Sequence, residues 1–409
     1  MRILNVTESY APFFEFGGPP AKVKALAEGL AQKGHAVTVL TADWGLENRL
    51  QESPGESPAQ STPFGRRREV NGVTAIYLAN WARYRATSWN PALPRYLRAR
   101  LQGFDVVHIF GLYDLFGPRV ASACRKQKLP YVVEPIGMFT PIVRNLLLKR
   151  IYHQWLGRAF LAGAGGIVAT SEQEGGELVR GGVPEEKIVL RRNGVEFPRE
   201  FPERGLFRKS LSVPEEAKLI LFLGRLSQKK SPDLLLDAFA TLRAEESVHL
   251  AFVGPDEAGM RGKLEDRAGQ LGLQSRVHFS GRLEGSAKWA AFRDADIFVL
   301  PSQNENFGNT AAEAVAAGTP VVVTDQCGIA PLLANVAGVV VKHEQSELAK
   351  AIKVLLEDEE YYRRLKQGCA RAVERLSWDV PLQEMEALYA RLASFRSGFA
   401  PDESRKGWK

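Results

Sequence analysis

The sequence predicts an α/β protein of two doubly wound, Rossmann-like domains in tandem, their sheets facing across a cleft. Three observations point there. Short β-branched runs alternate with stretches of helical periodicity from end to end, the pattern of parallel sheets wrapped by helices. That rhythm breaks at NGVEFPREFPERG (193–205), where Pro and charge displace apolar periodicity, as in an interdomain linker. A chain of 409 residues, 25% charged and 45% hydrophobic, also has the size and composition of about two globular domains. Sheets of this class take ligands at the carboxyl ends of their strands, so two of them face to face enclose a binding cleft.

The first domain is expected over 1–200. RILNVTE (2–8) reads as its first strand, Gly17-Gly18 as a turn, and PAKVKALAEGLAQKG (20–34) as a helix with a Gly34 stop. HAVTVLT (35–41) is the second strand, and others are expected at 73–78, 105–110, 130–134, 166–170 and 187–191. Residues 51–63, rich in Pro, Gly, Ser and Gln, read as a loop. The second domain, 201–378, repeats the alternation with LILFLG (219–224), VHLAFVG (248–254), RVHFSG (276–281), DIFVLP (296–301), PVVVTD (320–325) and GVVVK (338–342). Helical segments at 346–375 and 381–394 follow, broken at Ser377-Trp378. Residues 379–409 are expected to return to the first domain as a C-terminal helix.

Composition excludes several classes. Runs such as LILFL (219–223) and IFVLP (297–301) fall far short of the roughly 20 apolar residues of a membrane-spanning helix. The N-terminus enters a strand directly behind Arg2, and no secretory signal is read there, so a location in the cytoplasm or peripherally on the inner face of a membrane is expected. Cys124, Cys327 and Cys369 are scattered and odd in number, so they read as reduced thiols and not as a disulfide framework or a metal pair. The net charge of +7 is uneven: residues 1–200 hold 26 Lys+Arg against 18 Asp+Glu, the rest 28 against 29. Arg66, Arg67, Arg68, Arg83, Arg85, Arg95, Arg98 and Arg100 are interleaved with Trp81, Tyr84, Trp89 and Tyr96. That mixture suits an anionic membrane surface, or a solvated basic face over packed aromatic rings. No nucleic-acid motif accompanies it, so nucleic acid is not an expected partner.

Two segments of the second domain carry chemistry. GRLSQKKSP (224–232) sets Arg225 and Lys230 in a strand-to-helix loop, ahead of a helix that Pro232 opens at its first turn. Two cations beside a helix N-terminus suit a diphosphate. PSQNENFGNTAAEAVAAGTPVVVTD (301–325) places Glu305 in the loop after a strand and Gly308 where a backbone can approach a ligand. Asn309 or Thr310 follows as a helix cap, and Glu313 lies one turn in. A carboxylate at 313 can accept from both hydroxyls of a ribose, or can close a capping box with Thr310.

ENFGNTAAEAVAAGTPVVVTD resembles the glutamate-pair motif of the retaining family 4 glycosyltransferases of the GT-B fold, and GRLSQKKSPDLLLDAF resembles their phosphate-binding loop. FEFGGPPAKVKALAEGLAQKGHAVTVLT is similar to the family's N-terminal glycine loop, RRNGVEF to its NGV segment and VHFSGRL to its base-binding strand end, so the likeness covers nearly the whole chain. The resemblance implies a nucleotide-diphosphate sugar donor, and a sugar, polysaccharide-precursor or lipid-linked acceptor. It implies that Arg225 and Lys230 neutralise the departing diphosphate, and that Glu305 binds the sugar beside the N–H groups of Phe307 and Gly308. Glu313 would hold the ribose, Arg282-Leu283 would contact the base, and the Gly17-Gly18 turn would meet the phosphate. No metal or other cofactor is then expected, and no Asp-x-Asp pair is expected to bind one. The family's His-x-His here reads His108-Ile109-Phe110, so only His108 stands as a catalytic candidate, a buried structural residue at a strand's end being the alternative. EPIGMF (134–139) resembles the turn at the acceptor site, which makes Glu134, Gly137 and Met138 acceptor candidates, Glu134 alternatively being a strand-end carboxylate in water. A nucleotide-sugar epimerase or a non-catalytic sugar-nucleotide-binding protein on the same scaffold would share most of these motifs. A nicotinamide dehydrogenase would not, since no GxGxxG follows RILNV.

Overall fold

The computed structural model describes residues 1–51, 58–84, 87–139, 157–242 and 247–394. Its first strand, β1 (Arg2–Val6), buries every residue after Arg2, because a parallel strand covered on both faces has no solvent side. Around it run β2 (Ala36–Ala42), β5 (Val73–Leu78), β8 (Val106–Phe110), β9 (Tyr131–Glu134), β10 (Gly166–Ala169) and β11 (Ile188–Leu190). With β3 (Gln60–Thr62) and β4 (Gly65–Val70) they form one sheet in the order β11-β10-β9-β8-β1-β2-β5-β4-β3, in which β3 and β4 pair antiparallel.

The seven strands expected here all occur, but β3 and β4 do not follow from the apolar pattern. GRRREV lies between β5 and the outermost strand β3, and its Arg66 and Arg67 meet carboxylates and not core, so no run of apolar residues marks it. An antiparallel pair, β6 (Ala82–Tyr84) with β7 (Thr87–Trp89), was equally silent. Of the expected loop 51–63, residues 60–62 are β3, and 52–57 lie outside the described residues.

The second sheet contains β12 (Lys218–Leu223), β13 (Val248–Val253), β14 (Val277–Gly281), β15 (Ile297–Leu300), β16 (Val321–Thr324) and β17 (Gly338–Val341). All pair parallel, in the order β14-β13-β12-β15-β16-β17. In β12, Leu219 and Leu221 enter one apolar cluster while Ile220 and Phe222 enter another, so the strand feeds a core on each face.

The chain divides into two compact units, residues 1–193 with the chain from Trp378, and Gly194–Ser377. The division falls at 193/194 and not at 200/201, because Val195 is already buried in the second unit and its N–H donates to Leu376 O at 2.8 Å. The Pro-rich composition that suggested a linker marks irregular backbone, which here still packs. The helix Asp379–Ser394 lays Met385, Leu388, Tyr389 and Leu392 against the first unit's core, beside Val23, Val132 and Val168. Residues 395–409 of the expected C-terminal segment lie outside the described residues.

One glycine fixes the loop geometry at the carboxyl edge of the second sheet. At Gly254, after β13, φ is +144°, and a Cβ would stand 1.8 Å from Gly224 O, the residue that follows β12. Gly254→Ala is therefore expected to cost about 2 kcal/mol or more of unfolding free energy, read from the urea midpoint. A stability within error of the parent would show that the backbone does not need this approach.

Candidate functional site

The strand order of the second sheet sets β12 beside β15, and the loops that leave their carboxyl ends therefore meet. After β12 the chain turns through Gln228–Lys230 and Ser231 (φ +48°) into the helix Pro232–Ala240, with Pro at its first position. After β15 the loop is pinned from both sides: Gln303 N–H donates to Lys229 O at 3.0 Å, Glu305 N–H to Gln326 O at 2.9 Å, and Gly328 N–H to Glu305 O at 2.9 Å. Lys230 and Glu305, 75 residues apart in sequence, form an ion pair at this junction. Each side chain keeps about a fifth of its surface exposed, so the pair is accessible to a ligand and its charges are not sealed.

Arg225 stands apart, exposed and 3.3 Å from Glu257 Oε2. A half-exposed pair of this kind contributes little to stability, which leaves the guanidinium free to exchange partners. Phe307 is buried, and its carbonyl accepts from Ile329 N–H at 2.7 Å. Gly308, with φ +107°, opens the helix Asn309–Ala316.

Two local expectations fail here. The cap position is Gly308 itself, with no side-chain cap bond, so neither Asn309 nor Thr310 caps the helix. Thr310 is inside it, and the capping-box role for Glu313 falls with it. Glu313 instead accepts from Lys288 Nζ at 3.0 Å. Burial pushes the Glu313 carboxyl up, and Lys288 pulls it back. Arg282 is paired with Glu284, and Leu283 packs against the core, immediately past β14. The chain does contain one Asp-x-Asp stretch, Asp294-Ala295-Asp296. It is structural: Asp294 accepts from the N–H groups of Gly205, Phe207 and Arg208, and Asp296 pairs with Arg208.

In the first unit the candidates are placed differently from expectation. Glu134, at the end of β9, is neither solvent-exposed nor open to a ligand: it is fully buried and ion-paired with Arg191 and with Lys22. Burial alone would raise its carboxyl, but the Arg191 and Lys22 charges hold it down at about 2. His108 is fully buried beside it. Its Nδ1 lies 2.6 Å from Tyr389 Oη, its Nε2 3.5 Å from Glu134 Oε2, and its ring 3.9 Å from that of Phe110. Burial, against the opposing charge of Glu134, pushes its imidazole down to about 3. A catalytic role for His108 and an acceptor contact by Glu134 both lack access to solvent in this arrangement.

Gly137 (φ +65°) donates its N–H to Glu174 Oε1 at 2.6 Å, and Met138 is exposed. Gly17 (φ +99°) precedes the helix Gly18–Gln32. Lys22, Arg191 and Tyr389 were not anticipated. Lys22 carried a signal, since it shares the i, i+4, i+8 stripe of that helix with Leu26 and Leu30, which are both buried.

The basic, aromatic segment is also sorted by the structure. Arg66 pairs with Glu47, Arg67 pairs with Glu69, and Arg68 and Tyr96 are buried. Arg85 lies outside the described residues, as do the side chains of Arg83 and Tyr84. Trp81, by contrast, is 80% exposed, Trp89 is exposed, and Arg119 stacks over the Trp89 ring at 4.0 Å. All three cysteines are free and buried. Among the described residues no helix is long and apolar enough to cross a membrane.

Two α/β units, one with a charged pair where two strand ends meet, belong to a fold class that serves many functions, and comparison with known proteins narrows it. A family described as glycosyl transferases group 1 matches residues 203–371, and one described as a glycosyl transferase 4-like domain matches 17–194. The chain belongs to the group 1 glycosyltransferases. It is 27% identical to an uncharacterised glycosyltransferase of Methanocaldococcus jannaschii over 95% of this chain and 98% of that protein. It is 31% identical to the D-inositol 3-phosphate glycosyltransferase of Salinispora tropica over 56% of this chain, a match spanning about half (51%) of that relative. Among solved structures it resembles sucrose-phosphate synthase of Thermosynechococcus elongatus, with a TM-score of 0.75 at 22% identity over 96% and 99% of the two chains. It also resembles Anabaena HepE in complex with UDP and glucose, with a TM-score of 0.74 at 19% identity over 96% and 100%. These similarities give the fold as GT-B.

The buried cluster has a pH signature. An imidazole held near 3 in the folded chain against a reference near 6.5 favours folding above the reference value. Its contribution is lost as pH falls from about 6.5 toward 3, and that of Glu134, with a reference near 4.3, is lost between about 4.3 and 2. Urea unfolding at successive pH values should therefore contain a component that falls below about pH 6.5, opposed by the raised carboxyls of Glu8 and Asp114, and His108→Phe should remove that component between about 6.5 and 4.5. An unchanged slope in that variant would remove His108 as its source.

Proposed function

We propose that this glycosyltransferase is a retaining, metal-independent hexosyltransferase that uses a nucleoside-diphosphate sugar, with UDP preferred. The observation that carries the reading is the Lys230–Glu305 pair, which unites two sequence motifs at the carboxyl ends of adjacent strands. In the resting protein each charge neutralises the other. A donor would part them, its diphosphate taking the Lys230 ammonium and its sugar hydroxyls the Glu305 carboxylate. Arg225, held only by an exposed carboxylate, adds a second cation to the leaving group, and the helix that begins at Pro232 adds its N-terminal dipole. That accounts for the charge a metal would otherwise neutralise. HepE, which is solved with UDP and glucose, supports the uridine preference.

The transfer then proceeds on one face of the sugar. The bond from the anomeric carbon to the diphosphate oxygen breaks with its electron pair going to the phosphate, and an oxocarbenium-like centre forms. The acceptor hydroxyl adds to that centre from the same side, and its proton passes to the departing phosphate oxygen, so configuration is retained. The protein contributes position and a fixed field, and no side-chain nucleophile is used.

The acceptor is a sugar or polysaccharide precursor carried on lipid, met at an anionic membrane surface. Trp81 and Trp89 stand out on the β6·β7 ribbon, and the helix Leu93–Arg100 that follows presents Arg95, Arg98 and Arg100 without a carboxylate partner among the described residues. Exposed indole rings beside unpaired cations fit the interface of an anionic bilayer.

Two outcomes test the reading. Lys230→Ala is expected to lower turnover at saturating donor by about 100-fold or more, the scale of losing one preorganised charge donor, and near-normal turnover would sink its role. Binding to vesicles containing phosphatidylserine at low salt should fall about tenfold or more in Trp81→Ala/Arg95→Glu/Arg98→Glu, at about 1 kcal/mol per basic residue near the surface. If the parent ignores such vesicles, a soluble acceptor replaces the lipid-linked one.

A further inference from the structure

Glu313 has a partner to which the sequence motifs assign nothing. Lys288 lies on the helix Gly285–Asp294, which starts two residues after the Arg282-Leu283 turn, and its Nζ is 3.0 Å from Glu313 Oε1 on the next helix. It is no loose surface lysine. Its side chain keeps 25% of its exposure, Glu313 keeps 18%, and the ammonium stands 5.0 Å from the centroid of the Trp289 ring, a cation–π contact. Trp289 is itself held edge-on by Phe201 and packs against Phe292. The cation is thus set between the turn expected to meet the base and the carboxylate expected to meet the ribose.

The helices Gly285–Asp294 and Glu359–Val373 and the strands β15 and β16 pack against the helix that carries Glu313, and among the described residues Lys288 is the charge that acts on its carboxyl. The Cys369 thiol of the second of these helices is pushed up to about 12 by burial and stays neutral.

We infer that Lys288 is a positioning residue for the nucleotide: it fixes one oxygen of Glu313 so that the other meets the ribose 2′- and 3′-hydroxyls. A carboxylate has two oxygens and about four acceptor positions, so occupation of Oε1 by an ammonium leaves enough for a diol. This rests on the proposed ribose role of Glu313. Without Lys288, burial acts on the carboxyl unopposed, and protonation weakens it as an acceptor. The loss is greatest in mild acid and recedes as rising pH restores the carboxylate.

The experiment is calorimetric titration of the full chain with UDP, GDP and ADP, for the parent, Glu313→Gln, Lys288→Met, Lys288→Arg and the double variant Glu313→Gln/Lys288→Met. The nucleotide that binds the parent should bind Lys288→Met about tenfold more weakly at the acid end of a pH series, the deficit narrowing as pH rises. Taking the ratio of variant to parent at each pH cancels the titration of the nucleotide's own phosphate. Lys288→Arg should recover most of the affinity, and in the Glu313→Gln background the Lys288→Met change should add nothing. Parent-like binding by Lys288→Met at every pH, with Glu313→Gln impaired, overturns the inference alone. A deficit that ignores pH, or that persists without the Glu313 carboxylate, also overturns it. If Glu313→Gln binds as well as the parent, or no nucleotide binds the parent, the ribose reading fails first and takes this inference with it.

Discussion

The candidate donor site depends on β12 lying between β13 and β15. Chain order would continue from β13 and β14 on one side, but the sheet instead resumes on the other, where Ile220 of β12 aligns with Ile297 of β15. At such a reversal the connections run to opposite faces of the sheet, which leaves a crevice for a ligand outside the carboxyl ends of the strands. The loop 224–231 and the loop 301–308 occupy that place. Gly254 completes it, since only a residue without a side chain lets the end of β13 close on Gly224. The first sheet has a reversal of the same kind, with β1 between β2 and β8.

Charge is handled in opposite ways in the two units. Lys230 and Glu305 remain partly hydrated, so separating them costs little desolvation and an incoming ligand can replace each partner. Glu134 with Lys22 and Arg191 is sealed from water, and removal of Glu134 would leave two buried cations without their counter-charge at a cost of about 3–5 kcal/mol. Such a cluster fixes an arrangement and does not exchange partners. It ties β9 to the helix Gly18–Gln32 and to the chain just ahead of Asn193, while His108 and Tyr389 join β8 to the C-terminal helix. Glu134, an acceptor candidate, and His108, a catalytic candidate, are thus part of the internal bracing of the first unit.

What was legible in the sequence follows the same physics. Strands buried on both faces must be apolar throughout, so β12, β15 and β16 stood out as runs such as LILFL and VVVT. The strand β4, GRRREV, next to the outermost strand β3, obeys no such constraint, and neither does the β6·β7 ribbon. Motif residues were legible one by one, but their pairing was not: nothing in GRLSQKKSP says that Lys230 reaches Glu305 rather than solvent. Capping failed at Thr310 because Gly308, with a backbone that reaches φ +107°, starts the helix first. Asp294 and Asp296 went unread because a carboxylate that receives backbone N–H groups has no local signature. Lys288 lay on a helix of weak amphipathic pattern, where its neighbour Trp289 was the more conspicuous residue.

The environment of His108 bears on the chemistry proposed for the second unit. Its two nitrogens face Tyr389 and Glu134, its ring lies on Phe110, and no part of it reaches solvent. An imidazole held near 3 is neutral throughout the range in which glycosides are made, yet without access to a hydroxyl it cannot take a proton from one. Glu134, held ionised by two cations, is a weak base and equally enclosed. The proposed front-face transfer needs neither residue as a base for the acceptor hydroxyl, because the departing phosphate oxygen gains basicity as the bond to the anomeric carbon breaks. Front-face transfer assigns the proton to that oxygen. The same assignment explains why the accessible cations belong beside the diphosphate: they must stabilise the leaving group enough for it to depart, while leaving its oxygen basic enough to accept the proton.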